Sequence, residues 1–504
     1  MKKQNIIFII IITILSLPVF SSLTYVLLTS HSSWSIFSYR RFLIIIKTLV
    51  YGFSVSTITC IIGALIALQI LKKYKKTKII SFAILSLMGI PPYFYSYIAL
   101  SISKSIFNVP FLSGFLISTG LQSLYLLPLS ISVWLFFINS IPNVYFEDLL
   151  LIVNKKKAYF EVLINLMINP GKILLVLLTL ITINDYTIPS IFAYNTYPIE
   201  IMSIFAAKSS LQAPLIVSFP MIIISLLLVT YIFKTWNTVD VDFSNQSNIL
   251  FKHTKKHSII SNLFLFSIIG IILIVIIYSN ISQASNFYFN SSIVGDLVFG
   301  HSSAIIAAFI SSLLAYYFNY KIIRNVFFRK LLVFLIILFF SLPGTLTGLM
   351  INSLYQGIDL LLNTSLYNTI LPIVHMLTIR FLAVAFLIIW IGISNIHSSI
   401  IDIAILNTSS SYKIMYKVIW PYVKYYVLSN FFIVTILMIG ELPGSIMVVP
   451  PGKSTITITI YNYLHYGSSD MVALLIIIMI FALILFFSFL IIILNHIDKT
   501  KDNL

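Results

Sequence analysis

The sequence predicts an all-α integral membrane protein of about twelve transmembrane helices, arranged as two parallel repeats of six spans. Three observations carry this expectation. Of the 504 residues, 59% are hydrophobic and 9% charged, and the mean hydropathy is +1.04, which leaves too little polar surface to cover a soluble globule. Segments of about 20 apolar residues recur along the whole length, as ~30 Å of hydrocarbon requires of a helix. The net charge of +17 is gathered into alternate loops, the positive-inside pattern of a multi-pass protein, and not spread as a nucleic-acid surface would be.

Lys2 and Lys3 precede an apolar run over 6–28, longer than the h-region of a signal peptide and without a small-residue cleavage site, so it reads as a retained first span. Residues 30–41 then lie outside, with Arg40 and Arg41 an exception to the charge rule. The second span, 43–71, ends in a cytoplasmic cluster of Lys72, Lys73, Lys75, Lys76 and Lys78. Cys60 lies inside this span, where a small structural residue is its expected role and an internal disulfide is excluded.

The third span, 79–103, carries Pro91 and Pro92 midway. Two prolines free backbone carbonyls that only neighbouring helices or a wet cavity can satisfy, which predicts a broken helix facing the bundle interior. A fourth span, 115–139, leads to a polar loop over 143–170, and a fifth, 172–194, contains Asp185 and Pro189. After a sixth span at 213–233, the polar stretch 241–258 marks a cytoplasmic linker between halves at 1–240 and 259–504. The second half repeats the plan, with spans at 259–279, 297–319, 331–355, 367–393, 425–449 and 470–495. Pro343-Gly344 stands where Pro91-Pro92 stood, and Glu441 where Asp185 stood. Most of the 31 Lys and Arg fall in the loops this count places inside, with both termini cytoplasmic. Parallel repeats of this kind supply both halves of a pore from one chain.

The stretch 398–424 stands out between two long apolar spans. Asp402 to Ala404 open a short helix, Asn407 to Ser411 are turn formers, and Tyr412, Met415, Tyr416 and Ile419 recur at helical spacing. Pro421 is expected to end that second helix.

No residue set resembles an enzyme site. Pro451-Gly452-Lys453-Ser454-Thr455 resembles the end of a phosphate-binding loop, but the first glycine is replaced by Met447. The reading assigns no catalytic residue, no metal and no cofactor. Intramembrane ionisable groups remain, each costing ~2.5–3.5 kcal/mol to insert. Asp185, Glu441 and Arg380 qualify, followed by His375. They line a polar translocation pathway, or Arg380 pairs with one of the acids to hold helices together. Gly440, Pro443 and Gly444 around Glu441 predict an irregular helix facing protein or water.

Asp402, Ala404, Thr408, Val418 and Pro421 fall at the spacing Glu-Ala-Ala, three residues, Gly, nine residues, Ile, one residue, Leu-Pro. This resembles the coupling-loop signature of permease subunits of bacterial ABC importers. Asp148, Asn154, Ile164 and Leu166 resemble a degenerate first-half copy, with Met167 in place of the proline. Gly440-Glu441-Leu442, Pro450-Pro451-Gly452, His465-Tyr466-Gly467 and Arg380-Phe381-Leu382 are similar to the fused two-half permeases of ferric iron importers. Asp185-Tyr186 with Pro189, and Tyr197-Pro198 with Glu200, look like their first-half counterparts.

The resemblance implies a subunit of the cell inner membrane that receives substrate from a binding protein and is driven by separate ATPase subunits, as a homodimer. Each coupling loop would insert a short helix into an ATPase cleft, Asp402 making the contact and Asp148 doing so less tightly. Thiamine and phosphonate permeases share the fused plan. Both signature glycines are changed, to Asn154 and Thr408, and Thr tolerates a left-handed turn poorly. An ion-gradient-driven transporter is the alternative, expected to carry inverted repeats within each half and ionisable pairs at mid-membrane. A membrane enzyme acting on lipid-linked substrates would need clustered acids or histidines near one interface, and the sequence has none.

Overall fold

The computed structural model describes residues 11–22, 38–73, 84–106, 114–139, 155–208, 212–236, 291–322, 326–394, 398–466 and 471–479, apart from isolated positions within them, and a few single residues besides. These residues are helical, with no strand among them. Among the described residues five helices are long and apolar enough to cross a membrane, six if one bent pair is a single span. The predicted spans at 259–279 and most of 470–495, the linker 241–258, and Asp148 and Asn154 lie outside the described residues.

The first part of the chain holds α1 (Ile11–Ser22), α2 (Tyr39–Lys73), α3 (Pro92–Ile106), α4 (Phe115–Asn139), α5 (Lys155–Ile183), α6 (Thr187–Ile191), α7 (Tyr197–Lys208), α8 (Gln212–Val217) and α9 (Phe219–Trp236). The 35 residues of α2 make a helix of about 52 Å, well beyond the hydrocarbon thickness, so its charged ends clear both interfaces. It packs on α4 and α5. In that seam Ser130 Oγ donates to the Thr59 carbonyl at 2.9 Å and Trp134 Nε1 to that of Cys60 at 3.0 Å. A Cβ on Gly63 would fall 2.2 Å from Ser130 Oγ, so the close approach requires glycine there.

The later part holds α10 (Ser291–Ile322), α11 (Val326–Ser341), α12 (Gly344–Leu362), α13 (Leu371–Ser394), α14 (Ser398–Asn407), α15 (Trp420–Ile439), α16 (Ser445–Val448) and α17 (Ile456–Tyr466). Here α10 is the central element, packed on α13 and α15. Its Ala304, Ala307, Ala308 and Ala315 are fully buried, small residues that let neighbouring backbones approach. Asn319 donates to the Phe386 carbonyl at 3.0 Å, and Asn430 to Ser312 Oγ at 2.9 Å.

Both proline breaks form. A 3-10 turn at Leu87–Gly89 precedes Pro91, and Pro92 opens α3, the position where a missing N–H costs nothing. Between α11 and α12 the chain bends by 103° at Pro343, whose extended backbone (φ −52, ψ 137) cannot continue a helix. α1 lies against this second break, Leu15, Pro18 and Val19 facing Phe339, Leu342 and Met350.

Two proline expectations are corrected. Pro170 does not close a loop but lies inside α5, which runs from Lys155 to Ile183. Pro421 does not stop its helix. Ser411–Lys413 continue through a π-helical segment, Ile414–Ile419, into α15, where Pro421 occupies the first turn. In a regular α ladder the pyrrolidine ring would clash with the carbonyl four residues back, and a π turn, whose ladder is already interrupted, accommodates it.

Candidate functional site

Two helix breaks form the polar centre. α5 ends at Ile183, and after Asn184–Tyr186 the chain turns into α6. The Asp185 carboxylate accepts from the Thr187 amide at 3.0 Å, from the Thr187 hydroxyl, and from Gln122 Nε2 on α4 at 3.1 Å. Likewise α15 ends at Ile439 and α16 starts at Ser445. Glu441 accepts from the Gly444 amide at 2.8 Å, from the Ser445 amide at 2.9 Å and from the Ser445 hydroxyl at 2.7 Å. Each acid is thus a cap for a one-turn helix that follows it, so its charge is spread over backbone donors.

Arg380 completes the second break. Its Nε lies 3.4 Å from Glu441 Oε1, the two side chains 16% and 2% exposed. Its guanidinium also donates to the Leu342 carbonyl at 3.4 Å, one of the carbonyls that the end of α11 leaves without an intrahelical partner. One arginine therefore ties the α11–α12 break to the α15–α16 break. Glycines let the backbones meet there: a Cβ on Gly344 would lie 2.7 Å from Pro443 Cβ, and one on Gly348 2.7 Å from the Gly444 carbonyl oxygen. A cavity of about 10 Å³ beside Glu441, lined by Ser303, Ser445, Thr455 and Thr457, has room for one water.

Asp185 makes no direct contact with this pair, but the two breaks touch through their neighbours. The Tyr186 and Tyr461 rings meet edge to face at 6.4 Å, and the Tyr461 hydroxyl bonds Ser190 Oγ at 3.0 Å. Leu442 packs in the same cluster. Tyr125 on α4 lies within electrostatic reach of Asp185, Arg380 and Glu441. With two carboxylates and one guanidinium, the centre carries a formal charge of −1. His375 stands apart, beside Tyr355.

The stretch singled out at 398–424 presents a surface. Asp402 is exposed and Ala404 buried, so α14 turns one face to the bundle. Ile403, Leu406, Tyr412 and Tyr416 are exposed with it, the two tyrosine rings stacked. The turn after α14 needs no left-handed residue at Thr408. The Thr408 amide bonds the Ala404 carbonyl at 3.1 Å, and its hydroxyl accepts from the Ser410 amide at 3.2 Å, a hydroxyl-built turn that replaces the glycine conformation.

Sequence reasoning missed Gln122, Tyr461 and a second ion cluster. Glu200 in α7 receives Arg40 at 3.2 Å and Arg41 at 3.5 Å. The exception to the charge rule at Arg40 and Arg41 was the available signal. Arg40 is 77% exposed and Arg41 14%, so the two are not equivalent. Arg41→Ala is expected to cost about 1–3 kcal/mol of stability, because it takes the desolvated counter-charge from a carboxylate only 10% exposed and leaves it the exposed Arg40 alone. Arg40→Ala is expected to cost under about 1 kcal/mol. Thermal unfolding of the two variants in nanodiscs checks the order, and equal losses would refute it. In the Pro451–Thr455 string, Pro451–Lys453 form an exposed turn with Gly452 at φ 77, and the chain then enters the protein at the buried Thr455 before α17. Its Thr455 bonds Thr457, as the start of a helix.

No protein-family model, no characterised protein and no solved structure matches this chain. Fold and site together define an all-α membrane protein whose helices break around buried, capped acids.

Proposed function

We propose that the chain is the permease subunit of an ATP-binding-cassette importer, built as two parallel six-span halves in the cell inner membrane. The observation that carries this reading is α14, a short exposed helix bearing Asp402 that is joined through the turn at Thr408 to the continuous helix 411–439, which ends two residues before Glu441. A docked ATPase pair at α14 pushes on that span, and the span ends at the lock between broken helices.

The packing supports the duplicated plan. α2 pairs with α4, α5 and α7, as α10 pairs with α13, α15 and α17; α4 meets α5 as α13 meets α15. The broken-helix elements follow suit: α3 meets α4 and α6 as α12 meets α13 and α16, and α4 meets α6 as α13 meets α16. Each half thus sets a capped acid at the same node of the same pattern.

The cargo, delivered by a binding protein, is ferric iron on the resemblance of the Glu441 region, with thiamine and phosphonate as the alternatives. The formal −1 charge of the centre favours the cationic members of that set over phosphonate. The deciding experiment is uptake of labelled ferric iron by cells lacking the chain and resupplied with the natural sequence or with Asp402→Lys plus Pro421→Ala. Restoration by the natural sequence alone is expected. If iron uptake never changes, the iron assignment fails and labelled thiamine is the next substrate for the same cells.

A further inference from the structure

The π-helical segment Ile414–Ile419 is placed between the exposed α14 surface and the span α15. A π turn stores one residue more than an α turn and interrupts the regular ladder. Conversion to α would turn one side against the other by about 100° and shift it by about 1.5 Å. Something must hold the stored residue in place, and α10 supplies it. The Tyr316 hydroxyl donates to the Met415 carbonyl at 2.7 Å, inside the segment, and the Tyr316 ring meets Trp420 edge to face at 5.5 Å. One helical turn further along α10, the Tyr320 hydroxyl is buried without an acceptor, so a second donor stands on the same face.

From this geometry we infer that Ile414–Ile419 is a register switch, and that Tyr316 is the positioning residue that holds it in the π form. Movement of α14 reaches Glu441 as a rotation of α15 when the clasp opens. The inference rests on the importer reading for what moves α14, and on the geometry alone for the switch. It accounts for Pro421 without a kink: the proline suits a place where the ladder is already interrupted.

The test uses the full chain in nanodiscs. Tyr316→Phe is expected to speed hydrogen exchange at 412–420 by about fivefold to tenfold, the effect of one lost hydrogen bond, and to leave 429–436 unchanged. Deletion of Lys417, an exposed residue in the segment, removes the stored residue and restores an α register. It is expected to leave the melting temperature close to that of the natural chain, whereas deletion of the buried Ile433 abolishes cooperative melting. In cells, the Lys417 deletion is expected to keep ATPase capture and lose uptake. Equal damage to melting from both deletions, unchanged exchange in Tyr316→Phe, or uptake at the natural rate after the Lys417 deletion would each overturn the switch. If the natural chain captures no ATPase, the importer reading fails, and exchange and melting still judge the stored register.

Discussion

Glu441→Ala is expected to be among the most damaging single changes in the protein, costing about 3–5 kcal/mol of stability, the range for breaking one side of a buried ion pair. Two losses combine. Arg380 keeps its charge, 16% exposed, with the Leu342 carbonyl as its remaining acceptor among the described residues. The amides of Gly444 and Ser445 lose their cap at the same time. Arg380→Met is expected to cost less, because the Glu441 carboxylate retains three hydrogen bonds from α16 and its own turn. Denaturant unfolding in detergent micelles measures both. If Arg380→Met proves as costly as Glu441→Ala, the ion pair outweighs the cap and Glu441 does not act chiefly as the cap of α16. The double variant is expected to be no worse than Glu441→Ala alone, since it removes the stranded guanidinium but not the uncapped helix.

That asymmetry explains which parts of the site were legible in the sequence. The cost of inserting a charge is a property of one residue in an apolar run, so Asp185, Arg380 and Glu441 could be found without tertiary information. Proline breaks are equally local: Pro91-Pro92 and Pro343 interrupt the ladder wherever they stand. The structural option, Arg380 paired with an acid, is realised, but nothing local says that the acid is Glu441 or that Gln122 serves Asp185. Those choices depend on how α4 and α13 are rotated in the bundle. Pro170 and Pro421 show the limit of the local rule. A proline ends a helix only if the preceding turn cannot adapt, and at Pro421 the π turn adapts. Glu200 stands out in the sequence only through the resemblance, because its pairing with Arg40 and Arg41 exists only once α7 folds back to meet the start of α2.

The glycines of α12 offer the sharpest contrast, because two of them lie nine positions apart on one helix and face opposite surroundings. A Cβ at Gly348 would stand 2.7 Å from the Gly444 carbonyl oxygen and 2.7 Å from Met447 Cβ. Neither is the free end of a flexible side chain, so α12 and α16 must separate. That separation acts on the Gly444 amide that caps against Glu441. Gly348→Ala is therefore expected to cost at least about 1–3 kcal/mol, the range for overpacking a close seam, and to weaken the Arg380–Glu441 contact with it. At Gly357 a Cβ meets nothing within 4 Å, and the residue lies in the helix interior. There alanine should stabilise by about 0.8–1.0 kcal/mol, through helix propensity alone. Opposite signs for the same chemical change, read from unfolding of the two single variants under one condition, would establish that the seam between the broken helices sets the cost. A stabilising or neutral Gly348→Ala would mean that α12 and α16 do not meet as closely as the Glu441 cap requires.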